Sequence, residues 1–391
     1  MIRRRTWRRF VVCVAGGLAA LLLAFFAARA LWPGRSGPHA AQPIYVSQRI
    51  VEAQQEASWV TVLDGRGDTV AGSLRLPGFG AGALAIDPRQ RLWVCLEGIP
   101  LPLGGPEDSR VAVIDLQSGA TRLVQVKLLP TAVAFSGDKA FVLCVVNGYD
   151  SVVEVVDLAT LAVEREISLG RAYGEGLLMH NGRLLVWGTR QEQLDAAVKP
   201  DFVAAFDPAS GARLAEHDFT ATTTDIGPDG QTTPAPQVLA RSLLPVPGYG
   251  LLLTNNVGLR KYRDPASPPP DGLYLLDETT LAVKGTIATP SYPYRLAFVP
   301  PDRLYVGHYF PGSRGPWEGL SVVDLNTQQV VKHIAVGGAP QDVAYAGGKL
   351  YVTLYWEGQV AVVDPATDTV TKVIPLSPFP NRLAADWGIR E

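Results

Sequence analysis

One segment recurs seven times along the chain, and it limits the possible folds more than any other feature: a β-branched strand ending in aspartate, a tight turn, a second strand, then a Gly/Pro loop. It reads WVTVLD to Asp64, VAVID to Asp115, VEVVD to Asp157, VAAFD to Asp207, LYLLD to Asp277, LSVVD to Asp324 and VAVVD to Asp364. The marks lie 50 residues apart on average, the period of a stacked or ring-shaped repeat. Val, Leu and Tyr alternating between Gly, Asn and Asp turns specify strands, not helices. The clearest unit, Val336 to Pro375, holds four short strands near Asp342–Tyr345, Leu350–Leu354, Gln359–Asp364 and Val370–Ile374. Four antiparallel strands repeated seven times describe an all-β, seven-bladed β-propeller, which closes radially and leaves few free edges. Each blade packs on both faces, so a strand such as Gly250–Thr254 can be apolar throughout.

The stretch PQDVAYAGGKLYVTLYWEGQVAVVDPATDTVTKVIPL resembles the YVTN-repeat β-propellers. Tyr351-Val352-Thr353 matches three of the four naming residues, with Leu354 in place of the Asn. Tyr305-Val306-Gly307-His308, Trp93-Val94-Cys95 and Leu253-Thr254-Asn255 match more loosely. The resemblance runs over about nine-tenths of the chain and implies the fold. It does not imply one activity, because that family includes binding, surface and enzymatic members.

Closure is also legible. After Asp364 the chain supplies an outer strand near Val370–Ile374 and an inner one near Asn381–Ala385, but no further Tyr-Val-Thr strand. Ile44-Tyr45-Val46-Ser47 carries that pattern at the other end, just before WVTVLD. The expected domain is thus 44–391, latched by the strand 44–47.

Residues 1–42 read as an address. Arg3, Arg4, Arg5, Arg8 and Arg9 precede the uncharged run FVVCVAGGLAALLLAFFAA, 19 residues from Phe10 to Ala28. That is close to the ~20 residues of a spanning helix and longer than the ~7–15 of a signal-peptide core. The arginines orient the N-terminus to the cytoplasm. The expectation is a basic segment over 1–9, a signal anchor over 10–32, a linker over 33–43, and an extracytoplasmic propeller. Cleavage at Ala28-Arg29-Ala30 would make it secreted instead. Residues 1–42 hold seven arginines and no acid, so the formal charge of −2 hides a propeller with 28 basic and 37 acidic groups, a net of −9. So acidic a domain does not bind nucleic acid, and its contact with the membrane is the helix alone.

Absences narrow the chemistry further. Cys13, Cys95 and Cys144 form no C-x-x-C pair, and no two of the five histidines lie within five residues. No metal site, haem attachment or other cofactor is expected, and Cys95 and Cys144 are expected as free thiols. There is no phosphate-binding G-x-x-x-x-G-K-[ST] and no G-x-S-x-G nucleophile turn.

Loops point to one working face. The connections within blades at Gly182, Gly347-Gly348, Ser118-Gly119, Ser210-Gly211 and Thr367-Asp368 are short, with the strand-end aspartates bonded to the turn backbone. Those at the opposite end are long: Glu97–Arg110, Gly188–Asp201, His217–Gln237, Asn255–Asp271 and Gly307–Glu318. Aligned inner strands place Gly176, Arg241, Arg295, Asp342 and Arg382 at equivalent positions around the channel mouth, with Glu175 one residue earlier. Three arginines there suit an anion, unless Asp342 and Glu175 pair with them. Trp187, Asn255, His308, Tyr309, Tyr355 and Trp356 sit at nearby strand ends, and such groups can hold a sugar, a lactone or a peptide strand. These features favour a monomeric propeller that binds a small molecule or an extracytoplasmic protein on its loop-rich face. The alternative is a lactonase-like hydrolase or lyase using His308 and Glu175. A third reading is a structural surface protein.

Overall fold

A computed structural model describes residues 43–385, apart from 53–54, 79, 99–108, 147–149, 191–199, 221, 227–231, 237, 257–271, 291, 310–317 and 377–378. The basic segment, the apolar run and the linker as far as residue 42 lie outside the described residues. Among the described residues no helix is long and apolar enough to cross a membrane. The four loops expected over Glu97–Arg110, Gly188–Asp201, Asn255–Asp271 and Gly307–Glu318 also fall largely outside them.

Seven four-stranded antiparallel sheets form the blades of an all-β propeller. Blade 1 spans Ala81–Gln125, blade 2 Pro130–Ser168, blade 3 Ala172–Phe219, blade 4 Ala240–Ala288, blade 5 Pro293–Ile334 and blade 6 Pro340–Pro375. Blade 7 is composite. Its inner strand, Pro380–Ala385, pairs with Pro43–Glu52, which pairs in turn with Gln55–Asp64, and Thr69–Leu76 lies outermost. Tyr45 sits opposite Ala384 on one side and Val62 on the other.

The hydrophobic core is divided. Seven separate clusters occur, one in each interface between neighbouring blades. The second and third strands are therefore buried on both sides, as in Arg91–Leu96 and Gln359–Asp364, and alternation disappears from their sequences. Outer strands such as Val163–Ser168 keep exposed positions. Cys95 and Cys144 are free and buried in the cluster between blades 1 and 2. Burial pushes both thiols up, so neither is a ready nucleophile.

Two details explain the repeat's constant residues. The strand-end aspartates accept hydrogen bonds from the turns that follow them. Asp115 accepts from the Gln117 and Ser118 N–H groups, and Asp277 from those of Thr279 and Thr280. The latter bonds pull the Asp277 carboxyl down to about 2. Tyrosines of the second strands tie blade to blade: the Tyr351 hydroxyl donates to Asp68 at 2.9 Å and that of Tyr305 to Asp368 at 2.5 Å. Part of the expected loop His217–Gln237 is instead a separate hairpin, Thr222–Ile226 with Thr232–Pro236.

Candidate functional site: a ring of bulges at the channel mouth

An inner strand in strict alternation would bury every second residue. Here Pro293 and Leu296 are buried and Tyr294 and Arg295 are only half-buried; Pro340 and Val343 bracket Gln341 and Asp342 in the same way. The cause is a register shift near the start of every inner strand: at Ala81/Leu84, Pro130/Ala132, Gly174/Gly176, Ala240/Leu243, Pro293/Arg295, Pro340/Asp342, and in blade 7 between Pro380 and Leu383. A bulge re-aims its side chains and frees backbone groups. The freed N–H groups of Ser242 and Arg382 are taken by the hydroxyls of Thr254 and Ser47 at 2.9 and 3.0 Å. All seven bulges lie at the loop-rich end; those of blades 3 to 7 carry polar side chains, whereas that of blade 1 holds only Gly82 and Ala83.

The bulges correct the expected alignment. Leu243, Leu296, Val343 and Leu383 are equivalent, so Arg295, Asp342 and Arg382 share a position with Gly176 and with Ser242. Arg241 belongs one residue earlier, with Glu175, Tyr294 and Gln341. Glu175 and Arg241 thus face each other from blades 3 and 4 and form an ion pair. Gly176 is needed beside them, because a Cβ there would lie 2.2 Å from the Trp187 ring. Trp187 is buried in the cluster between blades 3 and 4, not at the rim. At the same junction Asp201 is fully buried and accepts hydrogen bonds from the Thr189 hydroxyl and the Ala240 N–H, at 2.7 and 2.6 Å. Burial raises its carboxyl to about 7.

Blades 5, 6 and 7 are arranged differently. Asp342 pairs with neither neighbouring arginine; its carboxylate accepts the N–H of Leu383 at 2.9 Å and that of Val343 at 3.0 Å. Arg295 reaches back to the Arg241 carbonyl at 3.2 Å, and Arg382 to the Gln341 carbonyl at 3.5 Å. Among the described residues neither guanidinium has a carboxylate within ion-pair distance. Both instead flank the Tyr294 ring, with guanidinium carbons 4.8 and 6.0 Å from its centre. Burial raises the Tyr294 phenol, but Arg382 and Arg295 outweigh it and hold the pKa below the ordinary tyrosine value. Burial, and after it Arg382, depresses the pKa of Arg295.

Aromatic side chains wall this arc. The Tyr309 ring lies 5.2 Å from that of Tyr294. Tyr355 lies 5.0 Å from Trp356 and 4.9 Å from Phe379. Trp356 is 58% exposed, while Tyr309 is buried, which pushes its phenol up to about 12. Tyr292 and Phe379, each directly before a proline, adopt left-handed φ angles of 67° and 68°. Leu129, before Pro130 in blade 2, does the same at 48°, so the conformation belongs to the entry of the inner strands.

Other expected residues have different partners. Asn255 is fully buried and accepts the Leu239 N–H at 3.0 Å, beside its own strand partner Ala240. His308 is buried with Nε2 2.8 Å from the Ser321 hydroxyl. Of the two groups of the hydrolase alternative, Glu175 lies in blade 3 paired with Arg241, and His308 lies in blade 5 beside Ser321. Tyr294, Gln341 and Phe379 were missed in the sequence. Their signal is the three-residue spacing Pro-x-x-Leu or Pro-x-x-Val in place of two-residue alternation. Among the described residues no three His, Cys, Asp or Glu side chains are placed to hold a metal ion.

The chain matches no protein-family model and no curated protein. It is similar in structure to hydrazine synthase from Kuenenia stuttgartiensis, at 17% identity and a TM-score of 0.59, over 79% of this chain and 90% of that one. It is similar also to the dihydro-heme d1 dehydrogenase NirN, at 12% identity and 0.56, over 90% and 76%. AztD from Citrobacter koseri gives 13% and 0.52, over 88% and 98%. At such identities the likeness shows the fold alone: a seven-bladed β-propeller.

Proposed function

We propose that the chain is a membrane-anchored, extracytoplasmic propeller of YVTN-type repeats that binds a ligand at its channel mouth. The observation that carries this is the arc of blades 5–7. Two half-buried guanidiniums without carboxylate partners among the described residues lie beside an aromatic wall whose outermost member, Trp356, is 58% exposed. Half-buried cations without a carboxylate in ion-pair contact are a feature of binding sites. The arginine run and the apolar stretch from Phe10 to Ala28 support the anchor and its orientation. Native mass spectrometry of the detergent-solubilised full chain is expected to show a retained mass. Trp356→Ala should lose it with the melting temperature unchanged. Equal retention by the variant, or a spectrum showing only the bare chain, counts against the reading.

A further inference from the structure

Resting on that reading, we infer the ligand's chemical class: a hydroxylated ring that carries one carboxylate. Three features of the arc each specify one part of it.

The anionic part follows from Arg295 and Arg382. They converge on one phenol ring from blades 5 and 7, and Nε of Arg295 is buried without a hydrogen-bond partner. A carboxylate at the edge of the Tyr294 ring, within reach of both guanidiniums, accepts from their planar forks. A monoanion fits better than a phosphate dianion, because Asp342 acts electrostatically on both arginines, Glu175 on Arg295 and Glu97 on Arg382.

The hydroxyl follows from Gln341. Nδ2 of Asn381 donates to the Ala81 carbonyl at 3.2 Å, so Oδ1 of Asn381 is the atom that accepts from Nε2 of Gln341, at 3.4 Å. This fixes the orientation of the Gln341 amide and leaves its Oε1 buried without a donor. A buried acceptor of this kind is satisfied by an O–H or N–H from a ligand. The ring follows from Tyr355, Trp356 and Phe379, which offer an apolar surface beside these polar atoms.

A sugar acid and a hydroxyaryl acid share this chemistry, and titration calorimetry on the detergent-solubilised full chain separates them. D-glucuronate and 4-hydroxybenzoate are the acidic probes; glucose, phenol and inorganic phosphate are the controls. At least one acid is expected to bind roughly 10- to 100-fold more tightly than its neutral counterpart, the range of a charge-assisted hydrogen bond. Arg382→Gln should remove that preference while weak binding of the neutral ring persists. The acid-to-neutral ratio is read on the unmodified protein, so it stands whether or not the variant folds. Equal binding of acid and neutral probes, tighter binding of phosphate, or no binding of either acid overturns the class. A mass still retained in the Trp356-dependent manner would then leave the binding reading intact.

Discussion

Glu175 and Arg241 in blades 3 and 4, and Tyr294 and Gln341 in blades 5 and 6, occupy the same bulge position of one ring. The first arc is closed and the second open. In blades 3 and 4 an acid and a base fall at the same level of adjacent inner strands and neutralise each other. In blade 5 the corresponding residue is a tyrosine, and the arginines sit one position further on, where the acid of blade 6 is committed to backbone N–H groups. A single register step thus decides whether a cation at the mouth becomes structural or available. A bulge at the same place in the inner strand gives both outcomes.

Altering the closed arc should have the largest effect on stability. Gly176→Val puts side-chain atoms into the Trp187 ring and is expected to cost about 1–3 kcal/mol, read as a lower denaturation midpoint at constant slope. An unchanged midpoint would mean that Trp187 moves aside freely and the arc is less tightly packed than described.

Opening the closed arc should cost less. Glu175→Gln leaves Arg241 without its partner; at 20% and 23% side-chain exposure the pair lies between surface and buried cases, so about 1–2 kcal/mol is expected. The same variant should bind glucuronate or 4-hydroxybenzoate more tightly, because the mouth gains a third available cation. Weaker binding would show that Glu175 belongs to the ligand site.

The smallest effect comes from pH, in the open arc. The lowered pKa of Tyr294 means that the folded state favours its phenolate. This contributes stability above the unfolded tyrosine pKa of about 10 and loses it as pH falls through the folded value. The phenolate also competes for the two guanidiniums, so affinity for an acidic probe should fall as pH rises through that value. The difference between ultraviolet titrations of tyrosinate in the wild type and in Tyr294→Phe measures it; a difference curve centred at or above the ordinary tyrosine value of about 10 would remove Tyr294 from the arginines' field.

The fold was legible because it rests on repetition. Seven Asp-terminated strands and the Tyr-Val-Thr pattern survive where local propensity is ambiguous, and the aspartates mark turns that their carboxylates close. The site was only partly legible. Arg295, Arg382, Tyr309, Tyr355 and Trp356 could be placed at the mouth from strand ends. A bulge, however, adds a residue without changing composition, so an alignment by residue count sets Arg241 one step from its true level and gives Tyr294 no distinguishing mark. Trp187 and His308 look like rim residues in a strand-end count, but Trp187 is buried in a blade interface and His308 is buried beside Ser321 and His333 of its own blade. The long loops follow no repeat, and their conformations cannot be read from one.

The composite seventh blade bears on synthesis. The backbone N–H of Arg382 is held by the hydroxyl of Ser47, 335 residues earlier. A nascent chain that has reached residue 379 therefore lacks one of the two available arginines and has nothing to pair with the inner edge of the strand at 43–52. Contacts of such sequence separation form late and slowly. On the proposed binding reading, a chain lacking residues 380–385 would lack both Arg382 and the inner strand of blade 7, and would be expected not to capture ligand.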